Sequence, residues 1–227
     1  MTLADKKYME ESKIIIYTDG SSRGNPGPGG WAATIEFLNN KIVEIGGAEG
    51  HTTNNRMELT GILKALEYLK EHIGDRKNDD GKSGGAHGEQ TAIINSDSAY
   101  ALNGVTNWMY GWFKNNWVTA DQQPVANRDI WEQIYQLTWY FKTKCDIVFN
   151  KVSGHSGVLG NERADLIATA FADGERILLF SGTAKDYERL LSDSVANRKS
   201  SPTTKAKSKE QKNRSMMPAY SYVSMVG

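Results

Sequence analysis

The sequence predicts an α/β fold in which helices flank a mixed β-sheet. Two observations lead to this fold class. Short apolar segments bounded by turn residues alternate with longer segments of helical period, in the order β-β-β-α-β-α-α-β-α. In addition, short turns join the first strands and favour antiparallel pairing, whereas the first long helix forms a crossover of the kind that links parallel strands.

The first three predicted strands lie within the first fifty residues. Residues 14–19 read IIIYTD, a continuous apolar segment that we expect to end at Gly20. Residues 31–38 and 41–50 form the next two strands, and the Asn39-Asn40 pair between them is typical of a hairpin turn. Three antiparallel strands therefore precede the first helix.

Helices and two further strands make up the rest of the predicted fold. Residues 54–73 have helical spacing, with leucine and isoleucine recurring on one face. The later elements are a strand over 91–97, a tryptophan-rich helical region over 107–117, a helix over 128–142, a strand over 145–152 and a helix over 161–174. We expect Asn161 to be the N-cap of the last helix.

The composition restricts the class of protein more than its function. The 227 residues suffice for one domain with a tail or for two small domains, and 27 basic against 27 acidic residues leave no net charge to indicate a partner. Cys145 is the only cysteine, which excludes an intrachain disulfide and fits a reducing compartment. The sequence has neither a signal-peptide pattern nor an apolar run of about 18 residues, so we expect a cytoplasmic protein with no membrane partner.

Two segments have a composition typical of chain outside a folded core. Residues 74–90 are polar and glycine-rich, and we interpret them as a surface loop. Residues 198–214 contain seven basic residues and one acidic residue, which is typical of a disordered basic linker. We hypothesise that this linker tethers nucleic acid; the alternative is an inert solubilising linker.

Four carboxylates occupy positions that favour a shared site. Asp19 and Asp97 each end an apolar strand, and the C-terminal edge of the sheet is where α/β proteins usually place their sites. Glu58 lies on the apolar face of the first helix, where a carboxylate needs a partner. Asp165 lies in the first turn of the last predicted helix.

Each of these acids also has an ordinary structural explanation. An aspartate before glycine is common in turns, an acid in a first helical turn complements the helix dipole, and Asp97 could cap a short helix. Four carboxylates close together, however, would repel one another unless a cation joined them. Mg²⁺ fits best because it prefers oxygen ligands, and the sequence lacks the Cys/His cluster that would favour zinc.

Five stretches of the chain resemble type 1 ribonucleases H, the bacterial enzymes that cut the RNA strand of RNA/DNA hybrids. They follow the family's order and are TDGSSRGNPGPGG (18–30), TTNNRMEL (52–59), SDSAY (96–100), NWMYGWFKNNW (107–117) and GHSGVLGNERAD (154–165). The resemblance implies the ribonuclease H fold, with a five-stranded mixed sheet, three antiparallel strands and then parallel ones, flanked by helices. It divides the chain into an N-terminal extension (1–12), a catalytic domain (13–174) and a C-terminal extension (175–227).

The resemblance also implies the chemistry. Family members hydrolyse phosphodiester bonds with two Mg²⁺ ions, for which Mn²⁺ can substitute, and leave 5′-phosphate and 3′-hydroxyl ends. By this resemblance Asp19 would bridge both ions and Asp165 would hold the ion that activates water. Glu58 and Asp97 would help to hold the ion at the leaving oxygen. His155 matches a loop histidine that assists proton transfer or product release.

The resemblance extends to residues that would contact an RNA/DNA hybrid, which we expect a monomer to bind. Short polar side chains in the family distinguish 2′-hydroxyl groups in the shallow groove. The matching positions for that groove are Ser22, Asn25, Asn54 and Asn55, and those for DNA phosphates are Thr53 and Arg56. Trp112, Lys114 and Trp117 match a protruding helix that grips the DNA. Asn161 matches a position beside the catalytic acids. Trp108 belongs to the same protrusion, but its helical spacing favours a place in the core.

The protrusion departs from the family pattern in its charge. The segment over 113–128 contains only two basic residues, Lys114 and Arg128, and Ala99 stands where many members have a glutamine. Phosphate contacts dominate affinity for nucleic acid, and each missing cation weakens them. We therefore expect weak hybrid binding by the catalytic domain alone.

Three alternatives stay open on the sequence. A transposase, integrase or junction resolvase would share the acidic cluster but not the glycine-rich, TTNNR and GHSG motifs together. A catalytically weak hybrid-binding module of the same fold would bind without turnover. A domain of a reverse transcriptase is disfavoured by the Met1 start and the length of the chain.

Overall fold

A mixed sheet of six strands forms the centre of the computed structural model, which describes residues 13–73, 90–154 and 157–191. The strands in chain order are β1 (Lys13–Ser22), β2 (Gly27–Glu36), β3 (Lys41–Thr52), β4 (Thr91–Ser96), β5 (Asp146–Lys151) and β6 (Ser181–Thr183). Their spatial order is β5-β4-β1-β2-β3-β6. β1, β2, β3 and β6 pair antiparallel, whereas β4 is parallel to both β1 and β5.

Five helices and one π-helical turn connect these strands. The helices are α1 (Asn54–Ile73), α2 (Ala99–Asn103), α3 (Met109–Lys114), α4 (Arg128–Phe141) and α5 (Leu159–Ala172), and the π-helical turn (Gly104–Trp108) joins α2 to α3. Residues 184–191 are also helical. The described residues up to Arg189 belong to one compact unit, and Leu190 and Leu191 belong to a second.

The helices cover both faces of the sheet, as the sequence predicts. Ile14 and Ile16 of β1 point to a large apolar core that also contains buried side chains of α1 and α4. Tyr17 lies on the opposite face, where it packs against a smaller cluster made by α5 and Ala32 of β2. Successive side chains of a strand point to opposite faces, so β1 contributes to both cores.

The structure corrects two boundaries predicted from the sequence. β1 continues through Gly20 to Ser22, so Asp19 lies within the strand and not at its end. A sixth strand, β6, pairs with β3 and extends the sheet beyond residue 174. Its three residues are too few to show a strand period, which explains why the sequence did not reveal it.

The start of the last long helix also differs from the prediction. α5 begins at Leu159, with Val158 at the N-cap position, so Asn161 lies inside the helix and is buried. The Glu162 carboxylate accepts a hydrogen bond from the Gly157 N–H at 3.1 Å. This bond lies just before the helix, and no side chain caps the start of α5, so the predicted N-cap role of Asn161 is wrong.

Glycines let two helices approach the sheet closely. A Cβ atom at Gly20 would lie 2.1 Å from the backbone nitrogen of Glu58, and one at Gly30 would lie 2.3 Å from the Ala168 carbonyl oxygen. These glycines thus permit α1 and α5 to pack on β1 and β2, a role that the sequence interpretation did not assign to them. The Gly20 contact brings Glu58 next to the strand that carries Asp19.

Several sequence predictions concern residues outside the described ranges. They are the N-terminal extension, nearly all of the 74–90 loop, His155 and the basic linker. Within the described ranges, no helix has the length and apolar character needed to cross a bilayer.

Candidate active site

Asp19 and Asp97 lie at the same edge of the sheet because β1 and β4 are parallel neighbours and each residue follows their last pair. The pairing of β1 with β4 ends at Tyr17 and Asn95, and β4 itself ends at Ser96. Asp19 is two residues beyond the last pair, and Asp97 is the first residue after β4. The Gly20 N–H donates to Asp19 Oδ1 at 2.8 Å and helps to fix this carboxylate.

Glu58 reaches the same edge from α1 and is held by two side chains. Asn54 Nδ2, one turn earlier on the helix, donates to Glu58 Oε1 at 2.9 Å. The Ser98 hydroxyl donates to Glu58 Oε2. Ser98 Oγ also accepts from the Ala101 N–H at 3.1 Å, so Ser98 caps α2 while it orients Glu58. The expectation that Asp97 could cap this helix is therefore wrong.

Asp165 comes from the opposite face of the sheet, on α5. The Thr169 hydroxyl donates to Asp165 Oδ1 at 3.4 Å, one turn further along the helix. Asn161 lies one turn before Asp165, and its buried side-chain oxygen has no hydrogen-bond partner among the described residues. Both side chains line the same cleft as the other three acids.

The four carboxylates border one open cleft of about 480 Å³. Its lining is polar and consists of Asp19, Gly20, Ser21, Asn54, Glu58, Asp97, Ser98, Ala99, Gly154, Asn161, Glu162 and Asp165. A Cβ atom at Gly154 would lie 2.9 Å from Asp97 Oδ2, so the glycine leaves room for this carboxylate. Strand β1, the residue after β4 and two helices on different faces thus bring together the acids singled out in the sequence.

The electrostatics of the cleft confirm that these acids are close enough to interact. The pKa of Asp19 is raised from 3.8 to about 8, chiefly by burial and then by the charges of Asp97, Asp165 and Glu58, while the Gly20 hydrogen bond opposes the shift. Burial, together with Asp97, also raises the pKa of Glu58, while its hydrogen bonds to Ser98 and Asn54 oppose the shift. A cation in the cleft would favour the charged forms of Asp19 and Glu58.

The donor set of the cleft fits a hard divalent cation. The candidate ligand atoms are carboxylate oxygens, which Mg²⁺ and Mn²⁺ prefer. Within the described ranges, no three or more acidic, histidine or cysteine side chains lie close enough together to hold a metal ion by themselves. An open arrangement suits Mg²⁺, which usually binds one or two carboxylates and completes its shell with water and substrate phosphates.

The loop after β1 and the start of α1 form one wall beside the cleft. Asn25 Oδ1 accepts from the Asn54 N–H at 3.3 Å, which ties the loop to the helix. Thr53 Oγ1 accepts from the Arg56 N–H at 3.3 Å, so Thr53 caps the start of α1. Asn55 is exposed beside them, and Ser22 is the last residue of β1.

Arg56 already has two acidic partners. Its guanidinium group donates to both carboxylate oxygens of Asp129, at 3.0 and 2.7 Å, and Arg56 Nε lies 3.4 Å from Glu49 Oε1. The predicted phosphate contact would have to compete with these ion pairs. The sequence could not reveal them, because Asp129 is 73 positions from Arg56 and Glu49 lies on a different element, β3.

The tryptophans of the predicted protrusion do not have the expected exposure. The Trp117 side chain is only 5% exposed and packs edge-on against Tyr135, so it is a core residue and cannot grip nucleic acid in this conformation. Trp112 is half-buried against Trp131. Trp108, expected in the core, is 40% exposed. Helical spacing alone did not separate these positions, because Trp108 ends a π-helical turn and Trp117 lies beyond the end of α3.

The cations and exposed rings of the protrusion are partly paired. Lys114 Nζ lies 4.5 Å from the centre of the Tyr110 ring, which is itself exposed. Phe113 stacks on Tyr135 with ring centres 4.2 Å apart. The surface of α3 thus presents aromatic rings more than positive charge.

Comparison with known proteins assigns the chain to a family. The ribonuclease H family model matches residues 11–173, which is most of the chain. The chain belongs to the ribonuclease H family. It is 42% identical over 161 residues to the ribonuclease H of Cyanothece sp., covering 71% of this chain and 90% of the relative, and 39% identical over 158 residues to the ribonuclease HI of Rickettsia conorii, covering 70% and 90%. These ribonuclease H relatives identify the chain as a nuclease of the hydrolase class.

Solved structures of ribonucleases H share the fold. The LC9 ribonuclease H1, a type 1 enzyme with the type 2 active-site motif, has a TM-score of 0.61 at 23% identity and covers 82% of this chain and 84% of its own. The LC11 ribonuclease H1, solved in complex with an RNA/DNA hybrid, has a TM-score of 0.51 at 26% identity and covers 71% and 97%. The sequence-based expectation of the ribonuclease H fold is therefore confirmed, with one strand more than expected.

Proposed function

We propose that this protein is an endoribonuclease that hydrolyses the RNA strand of RNA/DNA hybrids and leaves 5′-phosphate and 3′-hydroxyl ends. The observation that carries the proposal is the convergence of Asp19, Glu58, Asp97 and Asp165 on one open, polar cleft. The ribonuclease H relatives and the hybrid bound to the LC11 enzyme support the same substrate class.

We further propose that the cleft holds two Mg²⁺ ions, with Mn²⁺ as a substitute. Asp19 would contact both ions, Asp165 would hold one, and Glu58 with Asp97 would hold the other. Bound divalent ions supply an activated water and stabilise the charge on the attacking and leaving oxygens of a phosphodiester. The raised pKa of Asp19 supports this assignment, because a cation would restore its charged form.

The neighbouring side chains orient the acids before any ligand arrives. Asn54 and Ser98 fix both oxygens of Glu58, and the Gly20 N–H fixes one oxygen of Asp19. Preorganised ligands avoid the cost of ordering them on binding. The hydrogen bonds around these acids therefore contribute to metal affinity.

The wall formed by the loop after β1 and the start of α1 suits recognition of the RNA strand. Asn25, Asn54 and Asn55 present amide groups that can donate to and accept from a 2′-hydroxyl group. Asn25 and Asn54 are already linked, so they would move as one unit. We propose that this wall distinguishes RNA from DNA in the strand to be cut.

A catalytically weak hybrid-binding module is the second candidate function. Two observations favour it: the acidic partners of Arg56 and the few cations on the protrusion. Both reduce the positive charge available to phosphates and would limit turnover through substrate binding.

A substrate panel tests the proposed function. End-labelled RNA would be incubated as an RNA/DNA hybrid, as an RNA duplex and as a single strand, each with Mg²⁺, with Mn²⁺ and with EDTA. We expect metal-dependent cutting of the hybrid alone. A ligase that requires a 5′-phosphate and a 3′-hydroxyl should join the products. Hybrid binding without products in either metal would instead support the binding module, and cutting of the RNA duplex would refute hybrid specificity.

A further inference from the structure

A buried ion pair joins the helix that carries Asp165 to the third strand of the sheet. Arg163 Nε and Nη2 on α5 donate to the two carboxylate oxygens of Glu44 on β3, at 2.7 and 2.8 Å. The residues are 8% and 3% exposed. Arg163 lies between Asn161 and Asp165, so this pair is attached to the part of α5 that faces the cleft.

The chain after α5 completes the hydrogen bonds of this ion pair. We call residues 175–189 the C-terminal arm. Arg163 Nη2 also donates to the Leu178 carbonyl oxygen at 3.0 Å, and the Phe180 N–H donates to Glu44 Oε2 at 2.8 Å. The Glu44 N–H donates in return to the Phe180 carbonyl oxygen at 2.8 Å. β6 then continues the arm along β3.

Tyr187 closes the arm over the ion pair. Its side chain is almost fully buried, and its ring lies 5.0 Å from that of Phe180. Burial, together with the charge of Glu44, raises the pKa of the phenol above its ordinary range, which keeps it neutral beside the pair. A buried ion pair needs further hydrogen bonds to offset the loss of hydration of its charged groups. The arm supplies two such bonds, through the Leu178 carbonyl oxygen and the Phe180 N–H.

The fully buried side chains that pack α5 on the sheet are mostly small, although Tyr17, Phe171 and Ile177 pack around them. The fully buried cluster on this face consists of Ala32, Ala164, Ile167 and Ala168, whereas the opposite face holds a core of many large side chains. Alanines interlock poorly, because specific packing depends on side chains of different shape filling the gaps between elements. The bidentate Arg163–Glu44 contact therefore supplies the directional constraint on the position of α5.

We infer that the C-terminal arm is a positioning element of the active site, which holds α5 in the place that puts Asp165 and Asn161 in the cleft. The inference deepens the proposed function and rests on it for the role of Asp165 as a metal ligand. The family model ends at residue 173, so the arm is a feature of this chain beyond the matched region. Arg163, Glu44 and Tyr187 act through α5 and need not contact substrate.

Substitutions at Tyr187 test the inference, because they loosen the arm and leave the ion pair in place. Tyr187→Leu would lose the fit of the ring over the pair, whereas Tyr187→Phe would keep it. Leu178→Ala is the matched control within the arm, since this side chain is 89% exposed. Each variant would be assayed well below its melting temperature for Mg²⁺ affinity by calorimetry without substrate, and then for kcat and KM on a hybrid.

We expect Tyr187→Leu to weaken Mg²⁺ binding by about tenfold, the lower range for residues that orient metal ligands. The variant should also lower kcat with little change in KM, and Tyr187→Phe should restore both values. A second variant, Glu44→Met/Arg163→Met, removes the hydrogen bonds to the arm and replaces the ion pair by apolar side chains, a change that folded proteins often tolerate. It should reproduce the loss of Mg²⁺ affinity.

The inference would be overturned if both variants lowered the melting temperature but left Mg²⁺ affinity and kcat as in the unmodified protein. The arm would then only stabilise the fold. A different result separates this failure from that of the proposed function. If the unmodified protein cuts no hybrid, the proposed function fails, and Mg²⁺ affinity alone still decides whether the arm positions the metal ligands.

Discussion

At the scale of single residues, the account depends on Asp19. This carboxylate is buried in a strand and surrounded by three further acids, which together raise its pKa to about 8. The sequence predicted that Asp19 would share a site with Glu58, Asp97 and Asp165. It could not predict the hydrogen bonds that orient them, because Ser98 and Asn54 act through contacts across the fold and along one helix face.

The raised pKa of Asp19 predicts how the stability of the metal-free protein changes with pH. The folded state binds the proton of Asp19 more tightly than the unfolded state, whose pKa is near 3.8. The free energy of unfolding should therefore fall as pH rises from about 4 to about 8. Asp19→Asn removes this titration and should be more stable than the unmodified protein at pH 8.5 by about 1–3 kcal/mol.

Urea unfolding in EDTA across this pH range measures the effect. Saturating Mg²⁺ should restore the stability that the unmodified protein loses at high pH. It should stabilise Asp19→Asn much less. Parallel pH profiles for the two proteins in EDTA would show that Asp19 does not titrate in this range.

A second prediction at this scale concerns Asp129, which competes with phosphates for Arg56. Asp129→Asn would release the guanidinium group and should tighten hybrid binding about two- to fivefold, the range expected for an exposed ion pair. Fluorescence anisotropy in EDTA measures the dissociation constant without cleavage. Glu67→Gln is the control, because it also removes one negative charge from an exposed ion pair, with Lys64. Equal gains in the two variants would mean that net charge alone matters.

At the scale of elements, the long strands and helices could be predicted because each has a clear apolar period. Residues 54–73 form α1 with the bounds expected from the sequence. The elements that the sequence misjudged lack such a period: β6 has three residues, and the π-helical turn before α3 shifts the tryptophan positions. Likewise, Val158 and not Asn161 is the N-cap residue of α5, since the helix begins at Leu159.

The contact of α1 with β1 gives a prediction for Gly20. A methyl group at this position would meet backbone atoms of Glu58 and Met57, which cannot move without displacing the helix. Gly20→Ala should therefore lower the free energy of unfolding by about 1–3 kcal/mol or more and disturb the cleft. Gly50→Ala is the control, since a Cβ there would meet nothing within 4 Å. Urea titration of both variants measures the difference; similar midpoints would contradict the packing role of Gly20.

At the scale of the whole molecule, the fold class follows from the order of elements, but the site follows from topology. Asp19 and Asp97 meet because β4 lies beside β1 in the sheet, although 78 residues separate them in the chain. Asp165 joins them from the other face through α5. The sequence could not predict the buried Arg163–Glu44 pair or the arm that covers it either, because the pair joins residues 119 positions apart.

The most direct test of the central claim, that these carboxylates form the site that cuts the hybrid, compares two aspartate substitutions. Asp19→Asn changes the centre of the cleft, and Asp146→Asn changes an exposed acid at the far end of β5. Cleavage of an end-labelled hybrid in Mg²⁺ and hybrid binding in EDTA would be measured for both variants. We expect Asp19→Asn to bind the hybrid but to lose about a thousandfold or more in cleavage rate, as the loss of a preorganised electrostatic group does in other enzymes, while Asp146→Asn keeps full activity. Unchanged cleavage by Asp19→Asn would contradict the account.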